Sequence, residues 1–392
     1  MNNKPHILVI PSWYPEYPGH YVGSFFREQA IGLHKSNAKV GLIFPDLKSL
    51  RSLKKIRLLP GYRNYIDDGV ITYKILWSNW FIKMKFLQIF IFTKLGMYLF
   101  DKYVSENGMP DLIHSQSIFN SGFLAKKIHK KYKIPYVLTE HNSGFYYHNQ
   151  GFKKYYNSVR SIINSSAKCF AVSRSYAKYL DKELKCIKKW DVHHNLVADS
   201  FLKTDLLALD NQIFKFICIS RLDKIKNIDL IIKSFKKFNS KIQNSELKII
   251  GVGSELNYLK NLRNDLDLKN QVKFLGKIDR QDLTSIINNS HAFLYGSNFE
   301  TFGVIFIESM ALGKPIISTN CKSIEEIIND DIGIISPNNI NDFYKSMLYV
   351  FNNYKKYNHQ NIRNFCKKNF SESKLSNDLI KHFNLIIKND QK

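Results

Sequence analysis

Ser290 to Ser318 reads S-H-A-F-L-Y-G-S-N-F-E-T-F-G-V-I-F-I-E-S-M-A-L-G-K-P-I-I-S. Ala292 to Tyr295 is a short apolar run of strand type, and residues 296–301 are polar with Gly, Ser and Asn, so a strand ends and a loop begins. Val304, Ile307 and Ala311 then fall at helical spacing. Thr301 stands where it can cap the first turn, and Gly313 followed by Pro315 ends the helix. Residues 316–318 read as the next buried strand. This is a βαβ unit whose loop carries Glu300 and whose helix carries Glu308. Such a loop offers backbone N–H groups and a positive helix end, which suit a phosphate or a sugar hydroxyl.

The same alternation extends in both directions. Residues 6–10 form a strand, the loop 11–23 is rich in Pro, Tyr and Gly, and Ser24 opens a helix containing Phe25, Phe26, Gln29, Ala30 and Leu33. In a doubly wound sheet this loop lies at the carboxyl edge, where ligands bind. Further strands are expected at 39–44, 111–114, 136–139, 168–172 and 190–195. After a connection at 199–211, residues 214–220 begin a second series, followed by Arg221-Leu222-Asp223-Lys224-Ile225-Lys226-Asn227 and a helix. An Arg at a strand end and a Lys just before a helix can address one diphosphate, the first as a fork and the second as a point charge. The strand at 247–251 runs into Gly251-Val252-Gly253, which lacks a third glycine, and the next strand ends in Gly276-Lys277 with no acid for a ribose. A nicotinamide dinucleotide site is therefore not expected. Asp265-Leu266-Asp267 falls at the polar end of a surface helix, away from every strand-to-helix loop, and is read as no metal site.

A chain of 392 residues suits two domains, and 44% hydrophobic with 14% aromatic residues supplies ample core. The excess of 58 basic over 33 acidic residues, +25, favours anionic partners: nucleotide phosphates, an anionic membrane surface or nucleic acid. The lysines are spread along the chain, so compositional bias gives an equal account. No zinc spacing, basic zipper or RNA-binding pattern supports nucleic acid, which stands as the alternative of another class. The five cysteines contain no Cys-x-x-Cys pair, and Cys169 and Cys218 sit in apolar runs, which suits a reducing compartment. Residues 79–100 are rich in Phe, Ile and Leu, but Lys83, Lys85 and Lys94 interrupt them well short of the ~20 residues that a span requires. A mostly buried helix is the first reading, and partial insertion at a membrane surface the second. Lys48, Arg51, Lys54, Lys55, Arg57 and Arg63 form a basic stretch before it.

Glu300-x7-Glu308 with Phe302-Gly303 between them, Glu-Ser-Met-Ala at the second acid and Gly-Lys-Pro-Ile-Ile-Ser closing the helix resembles the pattern of retaining glycosyltransferases of family 4, which have the GT-B fold. P-S-W-Y-P and G-S-F-F-R-E-Q-A near the start are similar to members acting in bacterial surface polysaccharide assembly, and the resemblance spans nearly the whole chain. It implies an α/β chain of two doubly wound Rossmann-like domains facing a central cleft: 1–196 on the acceptor side, 197–370 binding the nucleotide-sugar, and a last helix in 371–392 packing back on the first domain, with a hinge between. It implies transfer of a sugar from a UDP- or GDP-sugar to a lipid-linked saccharide or lipopolysaccharide acceptor with retention, without metal or other cofactor. Glu300 then reaches the donor sugar, with His141 beside it as the second catalytic group. Gly23, Arg221, Lys226, Gly303 and Val304 hold the diphosphate, while Phe302, Glu308, Gly251, Gly253 and Ile278 meet sugar and nucleoside. The basic stretch 48–63 falls where the family docks acceptor or membrane. His114 matches a recurrent position and is read as structural. Asn195-Leu196-Val197-Ala198 departs from the family's Asn-Gly-Val-Asp, and Ser220 and Asn227 replace glycines, which puts local turns in question. A cytoplasmic protein, peripheral on the inner membrane face, follows. A phosphorylase or a sugar-nucleotide epimerase on the same fold is the rival enzyme.

Overall fold

The computed structural model describes residues 4–49, 60–80, 84–147, 149–210 and 212–390. It divides into two compact units, one of described residues up to Asn195 together with those from Glu372 onward, the other Leu196–Ser371.

The first unit holds β1 (His6–Pro11), β2 (Lys39–Ser49), β3 (Gly61–Asp67), β4 (Val70–Asn79), β5 (Leu112–Gln116), β6 (Tyr136–Glu140), β7 (Lys168–Ala171) and β8 (Asp191–Val192). They form one sheet in the order β3-β4-β2-β1-β5-β6-β7-β8. Only β3 runs antiparallel, against β4. Every residue of β1, His-Ile-Leu-Val-Ile-Pro, is buried, as a central parallel strand covered on both faces must be. The chain builds outward from β1 to β2, then crosses to β5 on the other side, so the loops after β1 and β5 flank a topological switch point. The helix Ser24–Lys35 follows the first loop and packs beside the last helix, Glu372–Asp390, where Lys35 and Glu372 pair at 2.7 Å.

The second unit repeats the plan without a hairpin. Its strands are β9 (Phe214–Ile219), β10 (Ser245–Ile250), β11 (Val272–Gly276), β12 (Ala292–Tyr295), β13 (Ile316–Thr319) and β14 (Gly333–Ser336). All are parallel, in the order β11-β10-β9-β12-β13-β14, and the order reverses between β9 and β12.

Several expectations shift. Residues 199–211 are not a bare connection: Asp199–Lys203 is a helix of the second unit, anchored by the fully buried Phe201. The strand expected over 190–195 shrinks to Asp191–Val192. In the basic stretch, Arg63 lies on β3, whereas Arg51, Lys54, Lys55 and Arg57 fall outside the described residues. The apolar segment 79–100 is not a mostly buried helix. Its helix spans Lys85–Asn107, buries Ile89, Phe92, Gly96, Leu99, Phe100 and Tyr103, and leaves Phe86, Phe90 and Tyr98 in solvent, because only one of its faces meets the rest of the unit. All five cysteines are buried and unpaired. No helix of the described residues is long and apolar enough to cross a membrane.

Candidate functional site

In the second unit the loop after β9 and the loop after β12 are sewn together across the switch point. The Asn298 backbone N–H donates to the Ile225 carbonyl at 3.2 Å, and a Cβ on Gly296 would sit 2.7 Å from the Asn227 carbonyl oxygen. Asn227 takes the left-handed conformation, φ 52°, which asparagine tolerates in place of glycine, and ends a short 3₁₀ turn, Lys224–Lys226, ahead of the helix Ile228–Asn239.

That turn aims Lys226 inward. Its Nζ donates to the Glu300 carboxylate Oε2 at 2.7 Å and to the Tyr295 hydroxyl at 2.8 Å, while Tyr295 itself donates to the same carboxylate oxygen at 2.5 Å. The Thr301 N–H donates to the other oxygen at 3.1 Å. Burial opposes ionisation of Glu300, but the Lys226 ammonium and these donors outweigh it and hold the carboxyl below its ordinary range. Burial, then the neighbouring carboxylate, pushes the Tyr295 phenol far above its usual value, so it stays a donor.

Gly303, which has no side chain to cap with, precedes the helix Val304–Ala311 with φ 83°. A left-handed residue is needed to turn the loop into the helix directly beside Glu300, and a Cβ there would meet the Phe306 ring at 2.5 Å and Glu300 Cγ at 3.2 Å. Phe302 is fully buried against Phe370, so only its backbone faces the loop. One helical turn on, Glu308 is buried and forms an ion pair with Arg280, whose guanidinium lies over the Phe201 ring at 5.3 Å. Arg280 opens the helix Arg280–Asn288, two residues after the half-buried Ile278.

Arg221 and Lys226 share a loop but not a partner: Arg221 is exposed and pairs with Asp223 at 3.2 Å. Gly251 and Gly253 have a packing reason of their own. A Cβ on the first would lie 1.8 Å from the Ser220 carbonyl oxygen and on the second 2.3 Å from that of Leu222, so the glycine loop must press against the backbone that carries Arg221. Asp265 ends the helix Leu256–Asp265 with Asp267 just beyond, and no group of His, Cys, Asp or Glu among the described residues is arranged to hold a metal.

In the first unit Gly23 plays the part of Gly303. It heads Ser24–Lys35 at φ 76°, and a Cβ would come within 3.1 Å of Trp13 and of the Tyr14 backbone. The helix it starts sends Phe25 and Phe26 against His141, ring centroids 5.2 and 4.9 Å away. Burial, reinforced by His114 and His193, brings His141 down to about 3, so its imidazole is neutral at neutral pH. Beneath it Glu140 accepts from the N–H groups of Ile118 at 2.7 Å, His141 at 2.8 Å and Asn142 at 2.6 Å, fixing the loop that presents the histidine. His114 is wholly buried and bonded to Thr139 at 2.8 Å, a structural residue.

Sequence reasoning missed Tyr295, Arg280 and Glu140. Tyr295 closes an apolar strand and reads as core; Arg280 begins a polar helix and reads as solvated. Glu140 directly precedes His141, and its place at the last residue of a strand was the available signal.

Two family models cover almost the whole described chain: Glycosyltransferase Family 4 matches residues 23–201, and Glycosyl transferases group 1 matches residues 206–366. The chain is a family 4 glycosyltransferase. An uncharacterised glycosyltransferase of Methanocaldococcus jannaschii is 25% identical to this enzyme over 280 residues, 70% of this chain and 75% of that one. The glycosyltransferase shares its fold with the sucrose-phosphate synthase of Thermosynechococcus elongatus, at TM-score 0.80 and 14% identity over 98% of this chain and all of that one. It shares it also with the Anabaena protein HepE solved with UDP and glucose, at TM-score 0.70 and 14% identity over 97% and 99% of the two chains. The fold is GT-B, as its pattern implied.

Proposed function

We propose that this glycosyltransferase moves a sugar from a nucleoside diphosphate donor to a lipid-linked saccharide or lipopolysaccharide-type acceptor, with retention at the anomeric carbon. The observation that carries the donor reading is the junction of the two loops across the β9/β12 switch point. It puts a buried ammonium, an ionised carboxylate and a helix N-terminus headed by glycine side by side. Lys226 spends two of its three protons on Tyr295 and Glu300, and the third can meet a phosphate oxygen. Arg221, the Gly303 and Val304 amides and the helix end complete the counter-charge for the leaving diphosphate, without a metal.

Glu300, held ionised, is assigned to the sugar hydroxyls and to the positive charge that grows on the anomeric carbon. Glu308 is assigned to the ribose hydroxyls, with Arg280 orienting its carboxylate, and the backbone at Gly251, Gly253 and Ile278 to the nucleoside. Neutral His141 can donate to or accept from a sugar hydroxyl without carrying charge. The acceptor class rests on the resemblance to surface polysaccharide enzymes and on the basic first unit; so does a cytoplasmic, peripheral location.

The test is a thermal-shift screen of UDP- and GDP-sugars, in which a donor at 100 times its Kd should add about 2.7 kcal/mol. Labelled donor then separates the reactions: transfer requires the acceptor, phosphorolysis requires phosphate, and epimerisation requires neither. Turnover without any acceptor would overturn the transferase reading.

A further inference from the structure

The helix Lys85–Asn107 presents an outer face that its own unit does not cover. Phe86, Phe90, Lys94 and Tyr98 repeat every fourth residue along it and are all exposed, Phe86 at 67% and Phe90 at 51%. Leu87, Ile91 and Leu95, on the adjoining stripe, are only half-buried. From Phe86 to Tyr98 this strip runs about 18 Å at the helical rise. Met84, just before the helix, and Trp80, just past β4, are also exposed, Trp80 at 71%. Two exposed phenylalanines one turn apart on one helix face form an apolar strip of the kind that marks an interaction site.

The charge around the patch is of one sign. No acidic residue occurs in 69–100, and none in 112–139. The second of these runs includes the neighbouring helix Phe123–Tyr132, which packs on the first where Gly96 meets Leu124 and which exposes Lys127, Lys130 and Lys131. The acids nearest the strip are occupied. On the helix itself, Asp101 accepts from Tyr132 at 2.8 Å and Glu106 from Tyr73 at 2.5 Å. Lys94 lies over the Phe90 ring at 5.8 Å, its stem along the apolar strip and its charge at the rim.

We propose that the face of this helix from Phe86 to Tyr98, with Trp80 and Met84, docks on an anionic lipid bilayer. Aromatic and aliphatic side chains enter the region between headgroups and acyl chains, while the flanking lysines meet the phosphates of acidic lipids. The lysines that rim the strip, a residue type depleted at protein–protein interfaces, favour an acidic lipid surface over a protein partner. The purpose of docking, bringing the enzyme to a lipid-linked acceptor, rests on the acceptor reading above; the docking itself does not.

The test is flotation of the full chain with vesicles of phosphatidylcholine alone and of phosphatidylcholine mixed with phosphatidylglycerol. The enzyme should float with the mixed vesicles, and its tryptophan emission should move to the blue, a shift lost in Trp80→Phe. F86S/F90S should lower partitioning by roughly tenfold or more, Lys94→Glu should lower it on the anionic vesicles, and both should keep the melting shift given by the nucleotide-sugar. Failure of the wild type to float, or equal flotation of F86S/F90S, overturns the proposal. So does a concentration-dependent dimer that F86S/F90S abolishes without any vesicle binding, since the face would then belong to a second copy. Flotation without glycosylation of a lipid-linked acceptor supports the docking face and sinks the acceptor reading alone.

Discussion

Both units head the helix after a switch-point strand with a left-handed glycine, Gly23 at φ 76° and Gly303 at φ 83°, yet what gathers beside each is opposite in kind. Around Gly303 stands an ion pair, Lys226 with Glu300, and a neutral Tyr295 hydroxyl bonded to both. Around Gly23 the groups are neutral and apolar, with His141 wedged against Phe25 and Phe26 over a buried Glu140. The backbone solution is shared because both loops must turn from a buried parallel strand into a helix within a few residues. The side-chain solutions diverge: one loop gathers an ion pair, the other neutral and apolar groups.

The sharpest way to break that contrast is Glu300→Gln. It keeps the size and most hydrogen bonds but strips Lys226 of its counter-ion, so turnover should fall by about a thousandfold, the scale of losing a preorganised charge. Steady-state kinetics on a protein whose fold is verified by circular dichroism would show it. Wild-type turnover would remove the ion pair from the machinery and the contrast with it.

Next in size is the pair of glycine substitutions. Gly303→Ala forces a Cβ to 2.5 Å from the Phe306 ring at a left-handed φ, and Gly23→Ala meets Trp13 and Tyr14 at 3.1 Å. Each should cost about 1–3 kcal/mol of stability, Gly303→Ala more, measured by denaturant titration. The reverse order would mean that the Phe306 ring yields more easily than the Trp13–Tyr14 backbone.

How much of this was legible follows the same division. Glu300 and Gly303 stood out because their loop could be recognised from consecutive letters, and the strand-helix alternation carried the fold. The Lys226–Glu300 pair could not be read, since 74 positions separate the two and only the parallel neighbours β9 and β12 bring them together. Tyr295 hid in Ala-Phe-Leu-Tyr, where the other three side chains are indeed core. The exposed face of Lys85–Asn107 was invisible for the opposite reason: a helix apolar on all sides gives no periodic sign of which side is left uncovered.

Tyr295→Phe tests the smaller half of the charged network. The variant keeps the ring under Lys226 and removes a hydroxyl that accepts from Lys226 and donates to Glu300, a loss of about 1 kcal/mol or about fivefold in kcat. The Glu300 carboxyl, deprived of one donor, should titrate higher, moving the acidic limb of the pH–rate profile upward. A profile that stays put with unchanged kcat would make Tyr295 mere packing.

The mildest effect at neutral pH, and the one confined to the neutral site, comes from Glu140. Burial pushes its carboxyl from 4.5 up to about 7 against the three N–H donors that favour the anion. A folded pKa above the unfolded one means that the folded state holds the proton more tightly, so this group withdraws stability as pH rises from about 4.5 to about 7. His114, His141 and His193 work the other way. Burial lowers each from 6.5 to about 3, so the folded state binds fewer protons, and their contribution is lost as pH falls from about 6.5. Across the window where both act, three histidines outweigh one glutamate and stability should rise with pH. Glu140→Gln removes the opposing slope, so urea midpoints measured between pH 5 and 7 should climb more steeply in the variant than in the wild type, while above pH 7 the two should run parallel. Parallel lines throughout would mean that the N–H donors, not burial, set the Glu140 titration, and the first unit would then share the charged character of the second.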